Sequence, residues 1–181
     1  MKYLLILLIA AITFYGCDNK IAKPVDGKTT PLVLRDGLLY PDSTSQIPFT
    51  GRNKSKALDQ YVEYDVIDGI KEGDFIIYFP NNNIEMIGKM SNNKNVGKWK
   101  YYRPDGTLET LGNYVDDIPS GNWKWYYPNG KVVEEGFYID GKRDGEWKSY
   151  DSTGTPIIIR TYKEDKLIDS ISVAKNQKSS Q

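Results

Sequence analysis

The sequence predicts an all-β fold, an elongated antiparallel sheet of stacked β-hairpin repeats with a 24-residue period. Three observations carry this. GKWKYYRPDG (97–106), GNWKWYYPNG (121–130) and GEWKSYDSTG (145–154) share a Gly, a Trp two residues later, a Tyr five later and a Gly nine later. Within them, large apolar and polar side chains alternate, as on a strand whose successive residues point to opposite faces. Each copy also runs into a turn-forming tripeptide or tetrapeptide containing Gly, Asn or Asp, and no window keeps a helical period.

In the central copy, Trp123, Trp125 and Tyr127 alternate with Lys124 and Tyr126, and Pro128-Asn129-Gly130 follows. Asn-Gly between two such runs signals a hairpin, because both residues tolerate positive φ. KVVEEGFYI (131–139) is then the return strand, and DGKRDG (140–145) a second turn leading into the next copy. The preceding copy repeats the plan with PDG (104–106), TLETLGNYV (107–115) and DDIPSG (116–121). A fainter copy, GDFIIYFPNN, starts at Gly73 with Phe75 in place of Trp and Asn82 in place of the last Gly. Upstream, Leu58, Val62, Tyr64 and Val66 fall in a further alternating segment (56–69). About ten strands at ~4.8 Å spacing would make a ladder roughly 45 Å long.

Stacking copies at a fixed period aligns residues into columns. Phe75, Trp99, Trp123 and Trp147 form one, and Tyr78, Tyr102, Tyr126 and Tyr150 another, three residues on and so expected on the opposite face. On the return strands Gly88, Gly112 and Gly136 align, with Met90, Tyr114, Tyr138 and Tyr162 two residues later. A strand glycine leaves room for a neighbouring ring, so the rings are expected to lie across these glycines.

The N-terminal end reads differently. LLILLIAAITFY (4–15) is an unbroken apolar run, short for a membrane span but suited to a secretory signal, and it ends in Gly16-Cys17. This resembles a bacterial lipoprotein signal, which implies cleavage before Cys17 and lipidation of that cysteine. The expected layout is a signal peptide (1–16), a lipid-anchored tether (17–35), a repeat domain (36–170) and a disordered tail (171–181).

Composition narrows the function. Formal net charge is zero, with 24 basic and 24 acidic residues, so nothing favours a nucleic-acid partner. With no His and one Cys, the usual neutral-pH base, the commonest zinc ligands and any disulfide within the chain are absent. No enzymatic activity, no cofactor and no metal site are expected. Asp116, Asp117, Asp140 and Asp144 fall at inter-repeat turns, where Asp is favoured for backbone reasons. Glu134 and Glu135 would point to opposite faces of one strand and cannot act as a pair.

The G-x-W-x-x-Y-x-x-x-G strand and the return strand ending in G-x-Y resemble the bacterial variant of the MORN repeat, and IPFTG (47–51) is similar to that family's opening unit. The resemblance spans about residues 36 to 170. It implies a ladder of antiparallel hairpins, and for some bacterial members an antitoxin-like role. Arg160 in the glycine column and PIIIRTY (156–162) depart from the pattern, as terminal units of repeat arrays do.

These readings lead to a membrane-anchored, extracytoplasmic binding or scaffolding module with a protein partner. Three alternatives stand beside it: a cell-wall glycan or choline binder, an antitoxin-like neutraliser of an envelope or secreted toxin, and a hydrolase working by carboxylates alone, for which no paired-acid constellation is found. Rings in the columns are expected to pack. Trp125 lies outside them, replaced by Tyr101 and Ser149 in the other copies, and is the first candidate for a partner contact, with Trp123 and Tyr126 beside it.

Overall fold

The computed structural model describes residues 31–57 and 60–173; the signal segment, Cys17, most of the tether and residues 174–181 lie outside them. The chain divides into two compact units, Met1–Val96 and Gly97–Gln181. Every regular element among the described residues is a strand.

In the first unit β1 (Val33–Arg35) and β2 (Leu38–Tyr40) form a small hairpin. Then β3 (Gly51–Ala57), β4 (Gln60–Ile67), β5 (Ile70–Tyr78) and β6 (Ile84–Ser91) pair antiparallel in chain order. Its core holds Leu39, Tyr64, Val66, Phe75, Met86 and Met90. The Tyr64 ring stacks on Phe75 at 6.0 Å, and its hydroxyl donates to the buried Asn53 side chain. Burial pushes that phenol well above its usual pKa.

The second unit opens with β7 (Lys94–Tyr102), whose first residues precede the boundary, and continues through β8 (Leu108–Val115), β9 (Ile118–Pro119) and β10 (Gly121–Tyr126). It closes with β11 (Val132–Ile139), β12 (Lys142–Tyr150), β13 (Pro156–Lys163) and β14 (Lys166–Ser172). Successive strands pair antiparallel, with β9 a short extension that pairs β8 ahead of β10. Among the described residues there are fourteen strands, where about ten were expected. The strands also run slightly past the expected domain limits, from Val33 to Ser172.

The two kinds of turn differ from the sequence expectation. At Asn129-Gly130 only the glycine takes positive φ, +79°. Tyr127 N donates to Lys131 O at 2.7 Å and Gly130 N to Tyr127 O at 2.9 Å, so the loop has three residues and ends on a left-handed glycine. Pro128 suits the first corner, and Asn129 accepts from Lys131 N at 3.1 Å. The same bonds close Arg103–Thr107, Asp151–Thr155 and Phe79–Asn83, where Asn82 takes φ 66° in place of Gly. After each loop the hairpin register skips one return-strand residue: Glu85, Glu109, Val133 and Ile157. A one-residue bulge thus recurs with the repeat.

At other described corners both residues take positive φ instead, as at Asp116-Asp117 (50° and 70°), Asp140-Gly141 (48° and 78°) and Glu164-Asp165 (48° and 66°). DGKRDG is therefore not a six-residue turn: Lys142 already pairs with Ile139, leaving a two-residue corner. Gly145 sits further along, inside β12, with φ 75°. There three residues, 145–147, oppose the single Gly136, since Phe137 pairs Asp144 and Glu135 pairs Lys148. The corners stack through backbone bonds, Gly141 N to Pro119 O at 3.0 Å and Asp165 N to Arg143 O at 3.0 Å. That is a backbone role for the turn aspartates. Asp144, by contrast, lies within β12 and ion-pairs with Lys163 at 2.9 Å.

Trp99 pairs across the hairpin with Gly112, and Trp123 with Gly136. The ring covering each glycine comes from the following copy: a Cβ added at Gly112 would lie under 3.0 Å from atoms of the Trp123 ring, and at Gly136 from atoms of the Trp147 ring. Gly112→Val and Gly136→Val should therefore lower stability by about 1–3 kcal/mol or more, because the indole cannot be displaced without losing its packing. Gly130→Val should also destabilise, through φ alone, since nothing lies within 4 Å of an added Cβ there. Urea midpoints check both; an unchanged midpoint for Gly112→Val and Gly136→Val contradicts the ring-on-glycine packing.

Candidate functional site

Alternation along the strands of the second unit divides its side chains between two faces. One face carries a continuous aromatic ladder. Trp99, Tyr114, Trp123, Tyr138, Trp147 and Tyr162 meet edge to face in that order, with centroids 5.1–6.1 Å apart and interplanar angles of 74–90°. Such contacts add about 0.5–1.5 kcal/mol each beyond the area they bury. Trp99, Trp123 and Trp147 are only 2%, 7% and 3% exposed, so the ladder face buries three indoles.

Trp125 joins this layer. It stacks on Trp123 at 5.8 Å and contacts Trp147 at 5.6 Å, much as Tyr101 stacks on Trp99 at 6.5 Å. Its place outside the columns does not detach it from packing, because residues two apart on a strand share a face. It remains partly exposed. Tyr126 points to the other face, so the three candidate contact residues are not brought together: Trp123 and Trp125 adjoin, and Tyr126 is separated from them by the sheet.

Beside Trp125 the aromatic layer gives way to polar groups. Glu134 lies directly across from Trp125, and Ser149 across from Glu134. Ser149 Oγ donates to Glu134 Oε1 at 2.9 Å, and Arg160 Nη1 reaches Ser149 Oγ at 3.1 Å and Glu134 Oε1 at 3.4 Å. The Glu134 and Arg160 side chains keep about a third of their surface in solvent, 34% and 30%. Arg160 fills the place of the glycine column, where no further Trp needs a glycine to lie on. At the ladder's end Arg143 lies 4.1 Å over the Tyr162 ring and pairs with Asp165 at 2.9 Å.

The opposite face is charged and apolar. Lys124 bonds Glu135, which also accepts from the Tyr150 hydroxyl at 2.7 Å. The lysine first, then the tyrosine, holds the Glu135 carboxyl below its usual pKa, while that carboxylate pushes the Tyr150 phenol up to about 12. Glu134 and Glu135 do point to opposite faces, as these separate partners require. Lys98 and Lys100 are exposed, and Lys148 pairs with Glu146 at 2.9 Å. In the first unit, likewise, the Tyr78 hydroxyl donates to a carboxylate, that of Glu63, at 3.2 Å.

Sequence reasoning passed over two features. Arg103 and Tyr127, one repeat apart, both tie adjacent hairpins: Arg103 donates to the Tyr126 carbonyl, and the Tyr127 hydroxyl to the Tyr150 carbonyl at 2.9 Å. The signal was their common place one residue after the Tyr column, masked by their different chemistry. The other is a cluster of exposed apolar residues, Val115, Ile118, Phe137 and Ile139, at 58%, 47%, 41% and 47%. Val115 and Ile118 are paired, Phe137 and Ile139 alternate with Tyr138, and Ile118 approaches the place of a Gly141 Cβ at 3.2 Å, at the corner that follows β11. All four lie on the face opposite the ladder.

Comparison with known proteins agrees with this geometry. Residues 95–116, 119–140 and 143–164 each match the MORN repeat variant. The three matches are consecutive along the chain. Each matched segment includes an outgoing strand and the three-residue loop, and ends at a positive-φ corner residue, Asp116, Asp140 or Glu164. No curated protein matches the chain. Among solved structures, the Glycosylation Associate Protein (Gap123) complex from Streptococcus agalactiae is similar at 12% identity over 80% of this chain and 24% of that chain, with a TM-score of 0.35. A likeness at that level carries no argument about function.

The buried phenols make a pH prediction. Burial raises the pKa of Tyr114 and Tyr138, and hydrogen bonding to Glu135 that of Tyr150. A raised folded pKa supplies stability that is complete below the unfolded value near ~10 and is lost as pH climbs through the folded value. Stability should thus fall above pH ~10. Absorbance titration of the native protein should show a subset of its 14 tyrosines ionising only with unfolding; titration of all of them as free phenols, with the fold intact, contradicts the ladder.

Proposed function

We propose that this protein is a non-catalytic, lipid-anchored binding or scaffolding module of the bacterial cell envelope, and that it engages a protein partner through the face opposite the aromatic ladder. The observation that carries the reading is the Val115–Ile118–Phe137–Ile139 cluster. Four large apolar side chains, each more than 40% exposed, lie on one face of the sheet; Val115 pairs with Ile118, and Phe137 shares a recess with Lys124, Glu135, Glu146 and Lys148. An apolar centre with a charged rim is the usual anatomy of a protein-binding surface. MORN repeats are commonly protein- or membrane-binding modules, which supports the same class of function.

Phe137→Asp combined with Ile139→Asp should leave the circular dichroism and urea midpoint near wild type, since neither side chain packs in the ladder. Cross-linking in intact envelopes should then lose the adducts that the wild-type chain forms. Retention of every adduct by the folded double variant overturns the assignment of this face.

Gly16-Cys17 after the apolar run supports the anchor, which would hold the domain on the outer side of a membrane. Cys17→Ser should release the protein from membranes or leave it unprocessed, read by fractionation and intact mass. Unchanged processing and membrane retention argue against lipidation. An antitoxin-like role fits an exported chain only when the toxin acts in the envelope or outside the cell.

A further inference from the structure

We propose that Trp125, Glu134, Ser149 and Arg160 form a binding site for an uncharged polyhydroxyl ligand, a sugar ring of a glycan chain, on the ladder face. The argument starts from where the repeat breaks its own rules. At the place of Trp125 the preceding copy has Tyr101 and the following copy Ser149; at the place of Glu134 they have Thr110 and Ile158; at the place of Arg160 they have Gly112 and Gly136. The register brings these substitutions to one spot: Trp125 opposes Glu134, Glu134 opposes Ser149, and Arg160 opposes Trp147 on the adjoining strand. Departures scattered along the chain at 125, 134, 149 and 160 thus meet on neighbouring strands.

The chemistry of the cluster selects among ligands. A partly exposed indole, held by Trp123 and Trp147, offers a rigid apolar surface to the C–H groups of a sugar ring. Glu134 supplies acceptors and Ser149 a hydroxyl. Arg160 spends only Nη1 on its two bonds within the cluster, and a guanidinium has five N–H donors in a planar fork. Because the Arg160 guanidinium lies against the Glu134 carboxylate, the two charges cancel. A quaternary ammonium would meet Arg160 and a phosphate or carboxylate would meet Glu134, so neither is favoured. A neutral polyol can donate to one and accept from the other at once. This separates a glycan from choline as the ligand. The site is on the face opposite the apolar cluster and stands independently of the protein-docking surface.

The full-length protein should be titrated with N-acetylglucosamine tetramer, cellotetraose, maltotetraose and phosphocholine, followed by tryptophan fluorescence and calorimetry. At least one neutral tetrasaccharide should give a saturable signal, and phosphocholine none. Glu134→Gln should weaken binding about tenfold or more, the size expected when a charged hydrogen-bond partner is removed, while circular dichroism stays at wild type. Trp125→Ala should abolish binding; if it fails to fold, Glu134→Gln and Arg160→Gln decide. If Arg160 serves only to cap the last tryptophan, Arg160→Gln lowers the urea midpoint and leaves binding unchanged. That result overturns the proposal, as does saturable phosphocholine binding or the absence of binding by all three tetrasaccharides.

Discussion

The fold of the second unit depends on laying an indole flat on a glycine of the preceding hairpin. A single sheet has no opposing layer to bury its side chains, so large rings would normally stand half in water. Removing the side chain from one strand opens a floor for the ring of the next, and Trp123 over Gly112 and Trp147 over Gly136 use it. The tyrosines two residues after each glycine then close the sides, edge to face. Trp123 and Trp147 are left only 7% and 3% exposed.

The bulges belong to the same constraint. A regular ladder would set each tryptophan at the register its strand happened to reach. Three residues of β12 facing the single Gly136 shift that register, and Trp147 arrives over the glycine. Positive φ at Gly145 permits the shift, which is why the motif opens on Gly two residues before Trp. The glycine at the loop end has a separate task, ending a three-residue turn. Two glycines nine residues apart thus serve different backbone needs within one hairpin.

With one face consumed by the ladder, recognition falls to what the ladder leaves over. The opposite face keeps charged pairs such as Lys124–Glu135 and an apolar cluster without a ring to cover it. On the ladder face, variation is confined to positions where a neighbour tolerates it. Ser149 can replace an aromatic, and Arg160 a glycine, only near the end of the tryptophan series. Repetition therefore conserves the scaffold, and departures from it create distinct chemistry.

Much of this was legible in the chain. Period, alternation and glycine columns determined the hairpin ladder, the division of Trp and Tyr columns between two faces, and the contact of rings with glycines, because each follows from strand geometry and local sterics. Turn conformation was less legible: Asn129-Gly130 and Asp140-Gly141 look alike as dipeptides, yet only the second takes positive φ at both corners. Loop length, set by which backbone groups bond across the hairpin, decides that difference. The packing of Trp125 against Trp147, the meeting of Glu134, Ser149 and Arg160, and the pairing of Val115 with Ile118 were decided only by tertiary structure. They depend on register between strands, and a bulge of one or two residues, invisible to periodicity, changes every cross-strand neighbour beyond it.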